Sequence, residues 1–74
     1  MSGPDPVVRA VEAALFAATE PQTLEQLRAQ IGDEADIAGA LERLASDYAG
    51  RGVELVERGG RWHFQTAPDL AWLL

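Results

Sequence analysis

Val53-Glu54-Leu55-Val56-Glu57-Arg58-Gly59-Gly60-Arg61-Trp62-His63-Phe64-Gln65 decides the fold. Two short runs rich in β-branched and aromatic residues flank a Gly-Gly pair, and adjacent glycines supply the positive φ values that a tight hairpin needs. A two-residue turn sets Leu55 opposite Phe64 and Glu57 opposite Trp62. Side chains alternate along a strand, so that face turns to the core and carries Trp62 and Phe64 inward. Val56 and His63 then share the outer face with Glu54 and Gln65.

Upstream of this hairpin the apolar period changes from two to about 3.6. Val7, Val8, Ala10, Val11, Ala14, Leu15 and Ala18 gather on one side of a first helix, expected over 6–18. Pro6 suits its first turn, where a missing N–H costs nothing. Arg9, Glu12 and Glu20 lie on the other side, and Phe16 falls among them. Glu20-Pro21-Gln22 is a break. Thr23 and Gln26 have capping-box spacing, which opens a second helix running to Ile31 with Leu24, Leu27 and Ile31 inward. Gly32 suits the position just past its end. Asp33 or Asp36 can cap a third helix, Asp36 to Ala49, whose apolar stripe is Ile37, Leu41, Leu44 and Tyr48. Gly39 inside that helix should cost about 1 kcal/mol relative to Ala. Gly50 or Gly52 ends it.

Downstream, Pro68 to Leu74 reads as a short last helix. Leu70, Leu73 and Leu74 can face inward, whereas Trp72 points elsewhere. The first six residues, with two prolines and a glycine, are expected to form a disordered tail, leaving residues 7–74 as one domain. The whole reads as α+β, mostly α: three helices, a two-stranded antiparallel wing and a short C-terminal helix. That is the winged-helix arrangement, with a helix-turn-helix element ahead of the wing.

In such a fold the third helix is the one that would read DNA, and here it carries the wrong charge. Its outward face shows Asp36, Gly39, Glu42, Arg43, Ser46 and Asp47, three acids against one base. The chain as a whole has a net charge of −6 and no lysine. A polyanion is repelled by such a surface. Arg58 and Arg61 flank the wing turn and could meet about two phosphates, a weak contact at most. They are the candidate DNA contacts of an alternative reading, a winged-helix DNA-binding transcriptional regulator.

The chain offers no constellation for catalysis. There is no cysteine and only one histidine, His63, so no metal site is expected. His63 is read as a surface strand residue. Glu54 and Glu57 fall on opposite strand faces and do not converge as acid/base pairs must. Ser2 and Ser46 are the only serines, one in the tail and one on a helix surface. Gly59-Gly60 joins two strands and opens no helix, so it cradles no phosphate. No cofactor and no small-molecule substrate are expected. The start lacks a basic segment followed by an apolar run, and no stretch reaches the ~20 apolar residues of a membrane span. A soluble cytoplasmic protein is expected. The sequence stops among apolar residues, which predicts either a piece of a longer protein or a surface that packs on a partner.

Phe16 and Trp72 lie off the main stripes of their helices, and exposed aromatic residues are what interfaces use. With Leu73 and Leu74 they form the candidate dimer or partner interface.

Val11-Glu12-Ala13-Ala14-Leu15-Phe16-Ala17-Ala18-Thr19-Glu20-Pro21 resembles the start of the segregation and condensation protein B (ScpB) family. Asp47-Tyr48-Ala49-Gly50-Arg51-Gly52-Val53-Glu54-Leu55-Val56 is also similar, as is the run from Gly59-Gly60 through Thr66-Ala67-Pro68-Asp69-Leu70. The likeness spans residues 7–74. It implies the first of two tandem winged-helix domains and a non-catalytic, nucleoid-associated role. The implied partners are a second copy of the chain, the kleisin subunit ScpA and an SMC ATPase, in a complex that condenses and segregates bacterial chromosomes. DNA would be reached only through that complex. The resemblance associates the first domain mainly with self-association and the second with the kleisin.

Overall fold

A computed structural model describes residues 5–74. The element order is helix α1 (Pro6–Ala17), strand β1 (Gln22–Thr23), helices α2 (Leu24–Ile31) and α3 (Ile37–Tyr48), strands β2 (Val53–Arg58) and β3 (Arg61–Thr66), and a C-terminal 3₁₀ helix (Pro68–Leu73). Each α-helix begins where the chain supplies an acceptor for its orphan N–H groups. The Asp5 carboxylate accepts from the Val7 N–H at 2.7 Å, with Pro6 in the first turn. Asp5 and Pro6 therefore belong to the folded domain and not to a tail; the rest of the expected tail, residues 1–4, lies outside the described residues. At α2 the capping box is complete: Gln26 N–H donates to Thr23 Oγ1 at 3.1 Å, and Thr23 N–H donates to Gln26 Oε1 at 2.8 Å. Asp36, not Asp33, caps α3, accepting from Gly39 N–H at 3.0 Å.

The hairpin has the register that a two-residue turn dictates. Leu55 faces Phe64, Val56 faces His63 and Glu57 faces Trp62. Gly59 and Gly60 have φ of 59° and 80°, the left-handed pair that matches the twist of the strands. The Glu57 carboxylate accepts from Gly60 N–H at 2.6 Å and clasps the turn.

The sheet has three strands, in the order β1-β3-β2, where the sequence predicts a two-stranded wing. Gln22 and Thr23 pair with Trp62 and Arg61. An N-cap residue has extended backbone, so Thr23 ends a strand and caps a helix with one conformation.

Val11, Leu15, Leu27, Ile37, Ala40, Leu41, Leu44 and Leu55 form the core between α1, α2, α3 and the hairpin. Trp62 and Phe64 pack against its rim and remain half-buried, so they are not core residues as the strand alternation predicts. The helices are short, and their aliphatic stripes cover only Leu55 of the inward hairpin positions fully. The C-terminal segment differs most. It is a 3₁₀ helix, rooted by the Ala67 N–H on the Gly52 carbonyl at 2.9 Å and by Leu70 beside Gly52. Leu73 and Leu74 are 60% and 92% exposed, against the expectation that they turn inward.

Gly39 has a geometric reason. A Cβ built there would collide with the Asp36 capping carboxylate. Gly39→Ala should therefore lose by displacing the cap about as much as it gains in helix propensity, about 1 kcal/mol each way. In an Asp36→Ala background the same change should stabilise by about 1 kcal/mol, read from urea midpoints.

Candidate functional site

The exposed face of α3 is acidic, and its single base is already engaged. Arg43 Nε donates to the Asp47 carboxylate oxygens at 3.2 and 3.3 Å, one turn apart on the helix. Glu42 and Asp36 stand exposed beside this pair. Arg51, just past the helix, is also engaged: its Nε donates to the Asp47 carbonyl at 3.0 Å, and its guanidinium lies 5.8 Å from the Tyr48 ring centroid. Arg58 and Arg61 are exposed and directly opposite each other at the wing tip. They form a point of positive charge, with no basic surface leading to it from α3.

The apolar side chains singled out from the sequence are at the surface. Phe16 is 55% exposed and Trp72 75% exposed, and with Leu73 and Leu74 they are the large exposed hydrophobics among the described residues. Phe16 does not stand alone. Its ring stacks on Phe64 with centroids 4.3 Å apart and planes 10° from parallel. Tyr48 meets Phe64 edge-on at 4.9 Å and Phe16 at 6.4 Å. The last turn of α1, the end of α3 and the middle of β3 thus converge on one aromatic cluster whose outer ring is open to solvent. Trp72 takes part in no aromatic pair among the described residues. It shares with Leu73 and Leu74 the exposed end of the C-terminal 3₁₀ helix. The four candidates therefore stand on two different elements, α1 and the C-terminal 3₁₀ helix.

The sequence marks Tyr48 and Phe64 as core positions by their periodicity, and nothing in it points to either as a site residue. Tyr48 is half-buried, and its hydroxyl donates to the Glu12 carboxylate of α1. That hydrogen bond, chiefly, with burial and the Glu12 charge, raises the Tyr48 pKa above 10.0. His63 is likewise not a simple surface residue. It is half-buried, and its Nδ1 is shielded from water with no hydrogen-bond partner among the described residues.

Among the described residues no group of three His, Cys, Asp or Glu side chains is placed to hold a metal ion. No helix among them is long and apolar enough to cross a membrane. What the surface presents is greasy side chains beside an acidic helix.

Three helices with a β-hairpin wing and an acidic third helix define a winged-helix module. The family model for the segregation and condensation complex subunit ScpB matches residues 9–74, and the chain belongs to that family. It is similar to the segregation and condensation protein B homolog of Coxiella burnetii, with 43% identity over 70 residues, 85% of this chain and 33% of the relative. It is also similar to segregation and condensation protein B of Desulforamulus reducens, with 38% identity over 72 residues, 90% of this chain and 39% of the relative. The chain thus spans little more than a third of the length of these curated relatives. A crystal structure of a dimer of an ScpB N-terminal domain complexed with an ScpA peptide superposes with a TM-score of 0.80 at 33% identity, covering 92% of this chain and 89% of that one.

Tyr48 is the only tyrosine, so its ionisation can be read directly from the ultraviolet absorbance of tyrosinate. The folded chain should titrate above pH 10.0, and Glu12→Gln should bring the midpoint back down. Because folding raises this pKa, the stability it contributes is complete below the unfolded value of about 10 and is lost as pH rises through the folded value. Tyr48→Phe should accordingly remove the part of the alkaline stability loss that this bond causes.

Proposed function

We propose that this chain is a non-catalytic, cytoplasmic subunit, or the first winged-helix domain of one, in a bacterial SMC–kleisin complex that condenses and segregates chromosomes. It pairs with a second copy of itself and meets the kleisin ScpA, and through it the SMC ATPase. DNA is reached through the complex and not by this domain. The observation that carries the reading is the pairing of an acidic α3 face with large exposed apolar side chains on a chain of the ScpB family. The similarity to an ScpB N-terminal domain that crystallised as a dimer with an ScpA peptide supports both partners.

Trp72, with Leu73 and Leu74, is assigned to contact between copies, and Phe16 to contact with a partner polypeptide. A winged-helix regulator of transcription would use α3 and the Arg58/Arg61 wing on DNA. An acidic α3, with Arg43 tied to Asp47, opposes that use.

Light scattering and sedimentation test the pairing. Burying an aromatic anchor at an interface contributes about 2 kcal/mol or more, so Trp72→Ala, which removes one anchor from each copy, should weaken self-association by at least about 30-fold without unfolding the domain. A strictly monomeric wild type, or unchanged affinity in the variant, overturns the assignment. Two copies of net charge −6 repel, so added salt should tighten the dimer. Duplex DNA titrated at low salt should show no binding that Arg58→Ala and Arg61→Ala remove.

A further inference from the structure

A groove of about 400 Å³ runs between the end of α1, the loop 18–21 and strand β3, and Phe16, Pro21, Val53, His63 and Phe64 are among its walls. One of those walls is an unfinished strand edge. With a two-residue turn, Arg58 and Arg61 are the first hydrogen-bonded pair, and such pairs recur at every second residue. His63 and Gln65 therefore exchange bonds with Val56 and Glu54 of β2, while the N–H and C=O groups of Trp62, Phe64 and Thr66 point the other way. On that side β1 serves Trp62 from Gln22 and goes no further. β1 begins at Gln22, so Glu20, the residue that would come opposite Phe64, does not pair with it. Phe64 and Thr66 have no strand partner on that side and no turn or loop backbone bond among the described residues.

The other edge of the sheet is guarded, because β2 carries Glu54, Glu57 and Arg58, and charged side chains on an edge strand discourage pairing. The open stretch of β3, His63-Phe64-Gln65-Thr66, carries no Asp, Glu, Lys or Arg. Beside it lie the exposed Phe16 ring, an apolar seat, and Glu20, the one acidic or basic side chain lining the groove apart from His63. His63, whose Nδ1 is shielded and without a partner among the described residues, also lines the groove.

We propose that the β3 edge at Phe64 and Thr66 captures an extended segment of a partner polypeptide as a strand in the lane that β1 leaves empty. Main-chain hydrogen bonds to Phe64 and Thr66 hold the segment, an apolar side chain rests on Phe16, and a lysine or arginine answers Glu20. This is strand addition, in which the backbone supplies affinity and alternate side chains supply selectivity. The inference rests on the assignment of Phe16 to a partner polypeptide, and holds whether or not the copies pair through Trp72.

The probe is a blocked seven-residue peptide of alternating valine and arginine, titrated into the 74-residue chain and followed by amide hydrogen exchange. At free peptide about ten times its Kd, the Phe64 and Thr66 amides should be protected about tenfold. N-methylation of alternate peptide residues, in one of the two registers, should weaken binding by about tenfold or more, as should Phe16→Ala, which alters an exposed ring. Replacing the arginines of the peptide by glutamates should weaken binding, and Glu20→Arg should reverse that order. No binding at about 1 mM peptide overturns the proposal. So does binding that leaves the Phe64 and Thr66 amides unprotected, or equal affinity of both N-methylated registers. Protection of those amides that grows with protein concentration alone would give the lane to a second copy and equally overturn it.

Discussion

The Gly59-Gly60 turn sets the register on which everything outside the helices depends. Both residues take left-handed backbone conformations, so the loop holds two residues and no more. A slip of one residue would exchange the faces of β3. Leu55 is buried because this register puts it on the helix side, and Phe64 meets Phe16 because it stands opposite Leu55. The same register fixes which backbone groups of β3 face β2 and which face away, and so where β1 can attach. The clasp from Glu57 to Gly60 fastens the turn itself. The wing of this domain is less an appendage than the frame that aligns the aromatic cluster.

Charge decides what the frame is for. A winged helix places α3 where the major groove could receive it, but placement without attraction does nothing. Arg43 is the one base on the outward face of α3, and Arg51 lies just past its end. In the structure the first is bound to the Asp47 carboxylate, and the second to the Asp47 carbonyl and the Tyr48 ring. Exposed ion pairs contribute little to stability, a few tenths of a kcal/mol. Their effect here is electrostatic: they remove positive potential from a face already rich in acid. Fold alone would have left protein and nucleic acid as equal candidates.

Local chemistry was legible in the sequence, and long-range cover was not. The cap at Thr23, the positive φ of Gly32 and the hairpin register follow from interactions within a few residues, and each stands where the sequence predicts it; the α3 cap is Asp36, one of the two that the sequence offers. Strand β1 has two residues, too few for any period to register, and its pairing partner lies some forty residues away in the chain. Trp62 and Phe64 alternate like core residues, but a strand's period names a face without saying whether enough helix exists to cover it. Leu73 and Leu74 fail for the same reason at the chain's last turn. The exposure of Phe16 and Trp72 was legible, since each breaks the stripe of its own helix. The stack of Phe16 on Phe64 was not, because it joins a helix to a strand that no local rule connects.

The outermost aromatic ring also bears on why this domain tolerates an open surface. Its core is almost wholly aliphatic, and the large rings lie at the rim. Burying a side chain of that size would add roughly 2–3 kcal/mol, a sizeable share of the stability available to so short a chain. Leaving Phe16 half in water therefore forgoes part of that stabilisation. Phe16 is not idle in the monomer, since its inner face packs on Phe64 and draws Tyr48 alongside. One face of the ring thus packs α1 on β3, and the other is open to solvent. A partner that covers it gains apolar burial without first having to order the side chain, and ordering interface side chains is among the principal costs of association.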